Sequence, residues 1–150
     1  MTVFTIGFTK KSAKEFFELL QHSGAKRLVD VRLNNSSQLA GFTKRDDLEY
    51  FLKAICGMDY VHLPELAPTQ QMLDAYKSKQ MDWEEYGRQF TALLAERKVE
   101  EVVRREVLED DVLLCSEPKA ETCHRRLVVE YFQAKWGEIN VEHLEQVLFA

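Results

Sequence analysis

The sequence predicts an α/β fold: a single three-layer domain over residues 1–150, with a mostly parallel sheet of about five strands and helices on both faces. Three observations carry that prediction. Short apolar runs alternate with segments of helical spacing along the whole chain. Capping residues and glycine or proline breaks fall between them. The length of 150 residues suits one domain with a substantial core, and no repeat, linker or low-complexity segment divides it.

The elements follow in order. Val3-Phe-Thr-Ile6 is a short apolar run that Gly7 ends, a first strand. Ser12-Ala-Lys-Glu15 has the form of a capping box. Ala13, Phe16, Phe17 and Leu20 then repeat at helical spacing, and Gly24 terminates the helix. Arg27 to Val31 is a second strand with Arg32 directly after it. Residues 33–41 have no period and many turn formers, so they form a loop. Leu48, Phe51, Leu52 and Ile55 make the stripe of a second helix that stops at Gly57. Asp59 to Leu63 is a third strand, broken by Pro64-Glu65. From Pro68 to Asp110 the pattern is helical. Met72, Leu73 and Tyr76 mark a short helix, and Asp82-Trp-Glu-Glu85 caps a longer one through Leu94. Val99, Val102 and Val103 continue or restart the pattern. Val112 to Cys115 is a fourth strand. Thr122 can cap a helix whose inward face is Leu127, Val128, Tyr131 and Phe132, and Gly137 ends it. Residues 138–143 are a fifth strand, followed by a short apolar tail from Leu144 to Phe149.

Right-handed crossovers put the C-terminal ends of parallel strands on one side, where open α/β sheets bind ligands. Thr9, Asp30, Arg32, His62, Glu65, Cys115, Glu117 and His143 lie at predicted strand ends and should converge on one rim. Composition bounds what that rim meets. A net charge of −5 disfavours broad nucleic-acid binding, which needs a basic surface. No apolar run approaches the roughly 18 residues of a membrane span, and the N-terminus reads as a strand and not as a signal peptide. Three cysteines without a framework spacing point to reduced thiols in a cytoplasmic protein.

The richest stretch is 112–126, from the fourth strand through a loop into a helix. It holds Cys115, Glu117, Cys123, His124, Arg125 and Arg126. Cys115 ends a buried strand and suits the core. Cys123 falls at the start of a helix, where free amides and the dipole favour a thiolate. His124 is next to it, but adjacent helical residues point about 100° apart, which argues against a direct cysteine–histidine pair. Arg125 and Arg126 oppose the dipole in a first turn, at a cost of about 0.3–1 kcal/mol each when exposed. Such arginines are easiest to understand beside an anion, either an internal carboxylate (Asp30, Glu117 or Glu121) or a ligand phosphate or carboxylate.

These residues together resemble the family catalogued as domain of unknown function 488. The resemblance rests on Thr5-Ile-Gly7, Leu28-Val-Asp30-Val31-Arg32, Tyr60-Val-His62-Leu63-Pro64-Glu65-Leu66, Leu113-Leu-Cys115-Ser-Glu117, Cys123-His124-Arg125 and Val141-Glu-His143-Leu144. It implies a compact cytoplasmic α/β domain, mostly prokaryotic, and supplies no mechanism. The chain departs from the family pattern at Phe8-Thr9, where His-Ser is frequent, at Asn34, where a proline is common, and at Ala67, where a glycine is usual.

Three functions compete. The leading one is an enzyme acting on a small anionic substrate in the strand-end cleft. Arg32, Arg125 and Thr9 would hold the anion, and Asp30 and His62 would support them. Cys123, or else Cys115, would be the nucleophile or redox thiol, and His124, Glu65 and Glu117 would move protons. The second is a non-catalytic module in which Lys26, Arg27, Arg32, Lys44, Arg45, Arg125 and Arg126 recognise nucleic acid or a phosphorylated partner. The third is a metal site of Cys115, Cys123 and His124, with His62 as a further candidate; its spacing fits no zinc ribbon or finger, so no metal or cofactor is assigned. Cys56 reads as packing. There is no Gly-x-x-x-x-Gly-Lys, Gly-x-Gly-x-x-Gly, Gly-x-Ser-x-Gly or Cys-x5-Arg signature, which removes the usual nucleotide hydrolases, dinucleotide oxidoreductases, serine esterases and tyrosine phosphatases.

Overall fold

The structure is a computed structural model that describes residues 1–35, 41–115 and 123–145, with the side chains at 106 and 107 left aside. Five strands form one sheet: β1 (Thr2–Gly7), β2 (Arg27–Asp30), β3 (Asp59–His62), β4 (Asp111–Cys115) and β5 (Asn140–Leu144). The order is β3-β2-β4-β1-β5, and every pairing is parallel. The sheet expected from the sequence is therefore present and wholly parallel.

Helices cover both faces. On one lie α1 (Ala13–Ser23) and α2 (Arg45–Phe51); on the other lie α3 (Gln70–Lys77), α4 (Trp83–Arg97), α5 (Val99–Val102), α6 (Arg105–Leu108) and α7 (His124–Trp136). Strand alternation sorts the sheet residues between them. Phe4, Ile6, Leu28, Val112 and Leu114 pack under α1 and α2 with Phe16, Leu20, Leu48 and Leu52. Val3, Val29, Leu113 and Cys115 pack under α4 and α7 with Phe90, Leu94, Val128 and Phe132.

Local chemistry sets the helix ends. The Ser12 hydroxyl accepts from the Glu15 amide at 3.1 Å, and Asp82 Oδ1 accepts from the Glu85 amide at 2.8 Å. Thr69 caps α3 in the same way through the Met72 amide. Gly24 and Gly57 end their helices at φ +73° and +62°, a region that costs other residues a clash.

Two expectations change. The second helix does not continue as an α-helix to Gly57. It widens into a π turn over Leu52–Cys56. The wider turn rotates Ile55 off the Leu48–Leu52 stripe, so Ile55 is 44% exposed. The other change concerns the helix after β4: Cys123 is its N-cap, in extended backbone at φ −125°, and helical geometry starts at His124. The proposed cap Thr122 and the tail beyond Glu145 lie outside the described residues, as do Glu117, Glu121 and residues 36–40 of the loop.

Candidate functional site

β4 occupies the centre of the sheet, with β2 on one side and β1 on the other. The connections leaving β1 and β2 lead to α1 and α2 on one face. The connection leaving β4 leads to α7 on the opposite face. The chain thus leaves adjacent strand ends toward opposite faces, the place where sheets of this kind usually bind ligands. Cys115 is the last residue of β4, in register with Gly7 of β1. Val31 continues β2 beside it, its amide donating to Leu114 O at 3.1 Å.

The α7 face of this edge carries the sulfur chemistry. Cys115 and Cys123 are joined as a disulfide, with Cα atoms 7.3 Å apart. The expectation of three reduced thiols is thus replaced by one pair and one free thiol, Cys56. Their separation in sequence gave no framework signal; the fold makes them neighbours by placing the end of β4 against the N-cap of α7. Both are buried. Arg125 is fully buried as well, an unusual place for a guanidinium. Its Nε donates to Thr5 Oγ1 at 3.2 Å, and its Nη1 donates to Cys115 Sγ at 3.5 Å. Thr5 Oγ1 also shares a short hydrogen bond with His143 Nδ1 across the β1–β5 register. One polar chain therefore runs from the surface at His143 through Thr5 and Arg125 to the sulfur of Cys115.

His124 completes this group. Its Nε2–H donates to the Val31 carbonyl at 2.7 Å, so Nδ1 holds the lone pair. The ring meets Phe90 edge-on at 5.6 Å. Burial, opposed by the Val31 bond and aided by the Arg125 charge, takes its pKa down to about 4, so the ring is neutral near pH 7. A donor atom of His124 and the two sulfurs all lie within 4.8 Å of one another. Cys123 precedes the helix, so the 100° divergence of adjacent helical residues does not separate it from His124.

Lys11 and His143 lie near the same guanidinium. Each has its pKa lowered, first by burial and then by Arg125. Lys11 and Arg125 thus stand near each other at this edge, with Glu15 and Glu145 also acting on Lys11, while the lowered pKa leaves the His143 ring neutral near pH 7.

The opposite face holds a different group. Asp30 is fully buried and takes both arms of Arg32, Nε to Oδ1 and Nη2 to Oδ2, each at 2.9 Å. Tyr60 donates to Asp30 Oδ2 at 2.6 Å. Arg32 Nη2 also donates to Thr43 O at 2.8 Å, and the guanidinium lies over the Phe8 ring at 5.5 Å. His62 Nε2 donates to the Arg32 carbonyl at 2.8 Å. The strand-end residues therefore share an edge but not one rim. Arg32, Asp30 and Tyr60 belong to the α1/α2 side, and Cys115, Cys123, His124 and Arg125 belong to the α7 side. Arg32 and Arg125 are not brought together. Glu65 lies in the 3₁₀ turn Pro64–Leu66, its carbonyl held by Arg97 Nη1 at 2.8 Å. Thr9 is exposed beyond β1. Among the alternative basic patch, Lys26 meets Asp110, Arg27 meets Asp111, Arg32 meets Asp30 and Arg126 meets Glu130.

Sequence reasoning missed Thr5, Lys11 and Tyr60. Thr5 had a signal: it is a polar residue inside the apolar run of β1, two positions from Gly7 and so on the face of Cys115. Tyr60 opens one of the family motifs, while Lys11 had no signal.

The model of the family described as domain of unknown function DUF488 matches residues 12–132. The chain belongs to that family. Searches of curated proteins and of solved structures give no match. The DUF488 match runs from the cap of α1 to Phe132 of α7 and so contains the β4–α7 elbow, with both site cysteines, His124 and Arg125. Among the described residues, no helix is long and apolar enough to cross a membrane.

Proposed function

We propose that this DUF488 chain is a thiol-dependent enzyme acting on a substrate that carries a phosphate or carboxylate group, bound at the β4–α7 elbow. The observation that carries this reading is the buried Arg125 donating to the Cys115 sulfur. Burying a guanidinium is expensive unless its donors are used, and here Thr5 and the Cys115 sulfur use two of them. A cation donating to sulfur favours the thiolate over the thiol once the pair is reduced, and the thiolate is the reactive form. Cys123, at the mouth of a helix, has amide dipoles to favour its own thiolate. Lys11 stands beside Arg125 and would join it in receiving the anionic group. His124, neutral at pH 7, is a proton acceptor at Nδ1. Arg32 drops out of the anion site in this reading, because its Nε and Nη2 already serve Asp30 and Thr43.

The test is turnover of a panel of phosphate esters, acyl phosphates and carboxylic acids in the presence of dithiothreitol, read by mass spectrometry. Cys115→Ser and Cys123→Ser should each lower the rate about a hundredfold or more, while Cys56→Ser leaves it unchanged. Arg125→Lys should raise KM for the anion. A rate that survives both site cysteine variants removes the thiol from the reaction. Inorganic phosphate bound equally by wild type and Arg125→Lys removes the anion site.

A further inference from the structure

We propose that the reduced Cys115–Cys123 pair, with His124 Nδ1, forms a three-ligand site for a zinc-class divalent ion at the end of β4, with a fourth position left for a ligand from outside the chain. The inference rests on the thiol reading above only in requiring that the pair be reducible.

Three observations support it. The first is the donor set: two sulfurs and one imidazole, with ligand atoms all within 4.8 Å of one another. Tetrahedral zinc with bonds of about 2.0–2.3 Å holds its ligand atoms roughly 3.3–3.8 Å apart, so after reduction the sulfurs part by roughly 1.7 Å and the imidazole closes by up to about 1 Å as the site assembles. Thiolate and imidazole together select zinc over calcium or magnesium, which take oxygen. The second is the backbone. The Cα atoms of the two cysteines are 7.3 Å apart, wider than the usual 4.4–6.8 Å of a disulfide. An ion between the sulfurs lengthens the bridge and suits that spacing better. The third is the surroundings. A metal-bound histidine characteristically donates its other ring N–H to a carbonyl or carboxylate, which fixes the ring and aims the free nitrogen. His124 Nε2 does this to Val31 O at 2.7 Å. Arg125 Nη1 similarly donates to the Cys115 sulfur, as outer partners of metal thiolates do.

The chemistry balances as follows. A small dithiol reductant supplies two electrons and two protons to the S–S bond, giving two thiols and the oxidised reductant. The ion then binds both sulfurs and displaces both thiol protons to solvent, and His124 enters as the neutral ligand without losing a proton. A small disulfide oxidant takes two electrons from the pair and leaves as two thiols, which re-forms the S–S bond, removes two of three ligands and releases the ion. Three protein ligands with one position open is the pattern of catalytic zinc rather than structural zinc. The fourth position would take the phosphate or carboxylate oxygen of an anionic ligand.

The experiment is titration of the full-length protein, reduced with a phosphine and stripped of metal, with cobalt(II) and then zinc, without any substrate. Expected are one ion per chain, the intense visible bands of tetrahedral cobalt with a sulfur charge-transfer band, and displacement by zinc. X-ray absorption of the unmutated complex should show two sulfur and one nitrogen neighbours from the protein, which tests the histidine without a variant. Cys123→Ser should weaken binding about a hundredfold or more, while Cys56→Ser binds as wild type does. Failure of the reduced protein to bind either ion overturns the proposal. So does binding that persists in Cys123→Ser, or a first shell without sulfur. Metal binding without turnover would retain this site and defeat the enzyme reading; metal-free turnover with no binding would do the reverse.

Discussion

At the scale of single residues, the buried ion pair and the buried histidine respond to different tests. Asp30 and Arg32 are a matched couple, with both carboxylate oxygens and two guanidinium nitrogens in use. Asp30→Ala leaves the guanidinium enclosed without its counter-charge, and urea unfolding should show a loss of about 3–5 kcal/mol. Tyr60→Phe removes one hydrogen bond and keeps the couple, so it should cost about 0.5–1.5 kcal/mol. His124 gives a pH signature in metal-free protein. Its pKa falls from 6.5 unfolded to about 4 folded, under burial and the facing Arg125, with the Val31 carbonyl and Asp30 opposing. A depressed histidine contributes stability that is complete above pH 6.5 and is lost as pH falls toward 4. The size is on the order of 3 kcal/mol. Asp111 acts the other way: burial raises its pKa to about 6 despite Arg27, so its contribution is lost as pH rises from 4 through 6. Wild-type stability alone therefore mixes the two. The measurement is the stability gap between wild type and His124→Gln from pH 4 to 7; the wild type should gain on the variant as pH rises. A constant gap contradicts a neutral buried ring. Residue types at the site were legible because cysteine, histidine and arginine cluster in 115–126 and arginine sits against the dipole. Their partners were not, since Thr5 and Val31 come from 120 and 93 residues away.

Elements were legible where a local rule decides them. Ser12 and Asp82 stand three residues before Glu15 and Glu85, and both caps form. Ser12→Ala and Asp82→Ala should each cost about 1 kcal/mol, lowering Tm by roughly 2–4 °C in a chain of this size. Differential scanning calorimetry resolves that, and neither variant should alter metal or anion binding. The π turn at Leu52–Cys56 was not legible. Leu48, Phe51, Leu52 and Ile55 satisfy α spacing, and nothing in their types announces a wider turn. The α7 start was misplaced by about one residue, and that residue mattered. Taking Cys123 as helical separates it from His124 by 100°, whereas an extended N-cap brings their donor atoms together. A small boundary error thus reversed a chemical conclusion.

At the scale of the molecule, alternation of strand and helix was enough to foresee a parallel sheet, because each crossover needs a helix. Strand order was not foreseeable, since it depends on which edges meet, and it decides the site. Inserting β4 between β1 and β2 divides the strand-end residues between two faces. Native-state hydrogen exchange should reflect the same order. Amides of β4, paired on both sides at the centre, should exchange only through the largest openings, and those of the edge strands β3 and β5 should exchange faster. Equal protection across all five strands would contradict that hierarchy.

The central place of β4 also has a consequence in time. During synthesis, β1 and β2 emerge early but have no shared neighbour until residue 115 is made. At ribosomal elongation rates of about 5–20 residues per second, roughly 4–17 s separate Asp30 from Cys115. Throughout that interval the nascent chain carries two apolar strand edges awaiting the same partner. Cys115 ends the strand that joins β1 to β2 and is also half of the cysteine pair, so the cluster of Cys115, Cys123, His124 and Arg125 assembles only as the sheet closes.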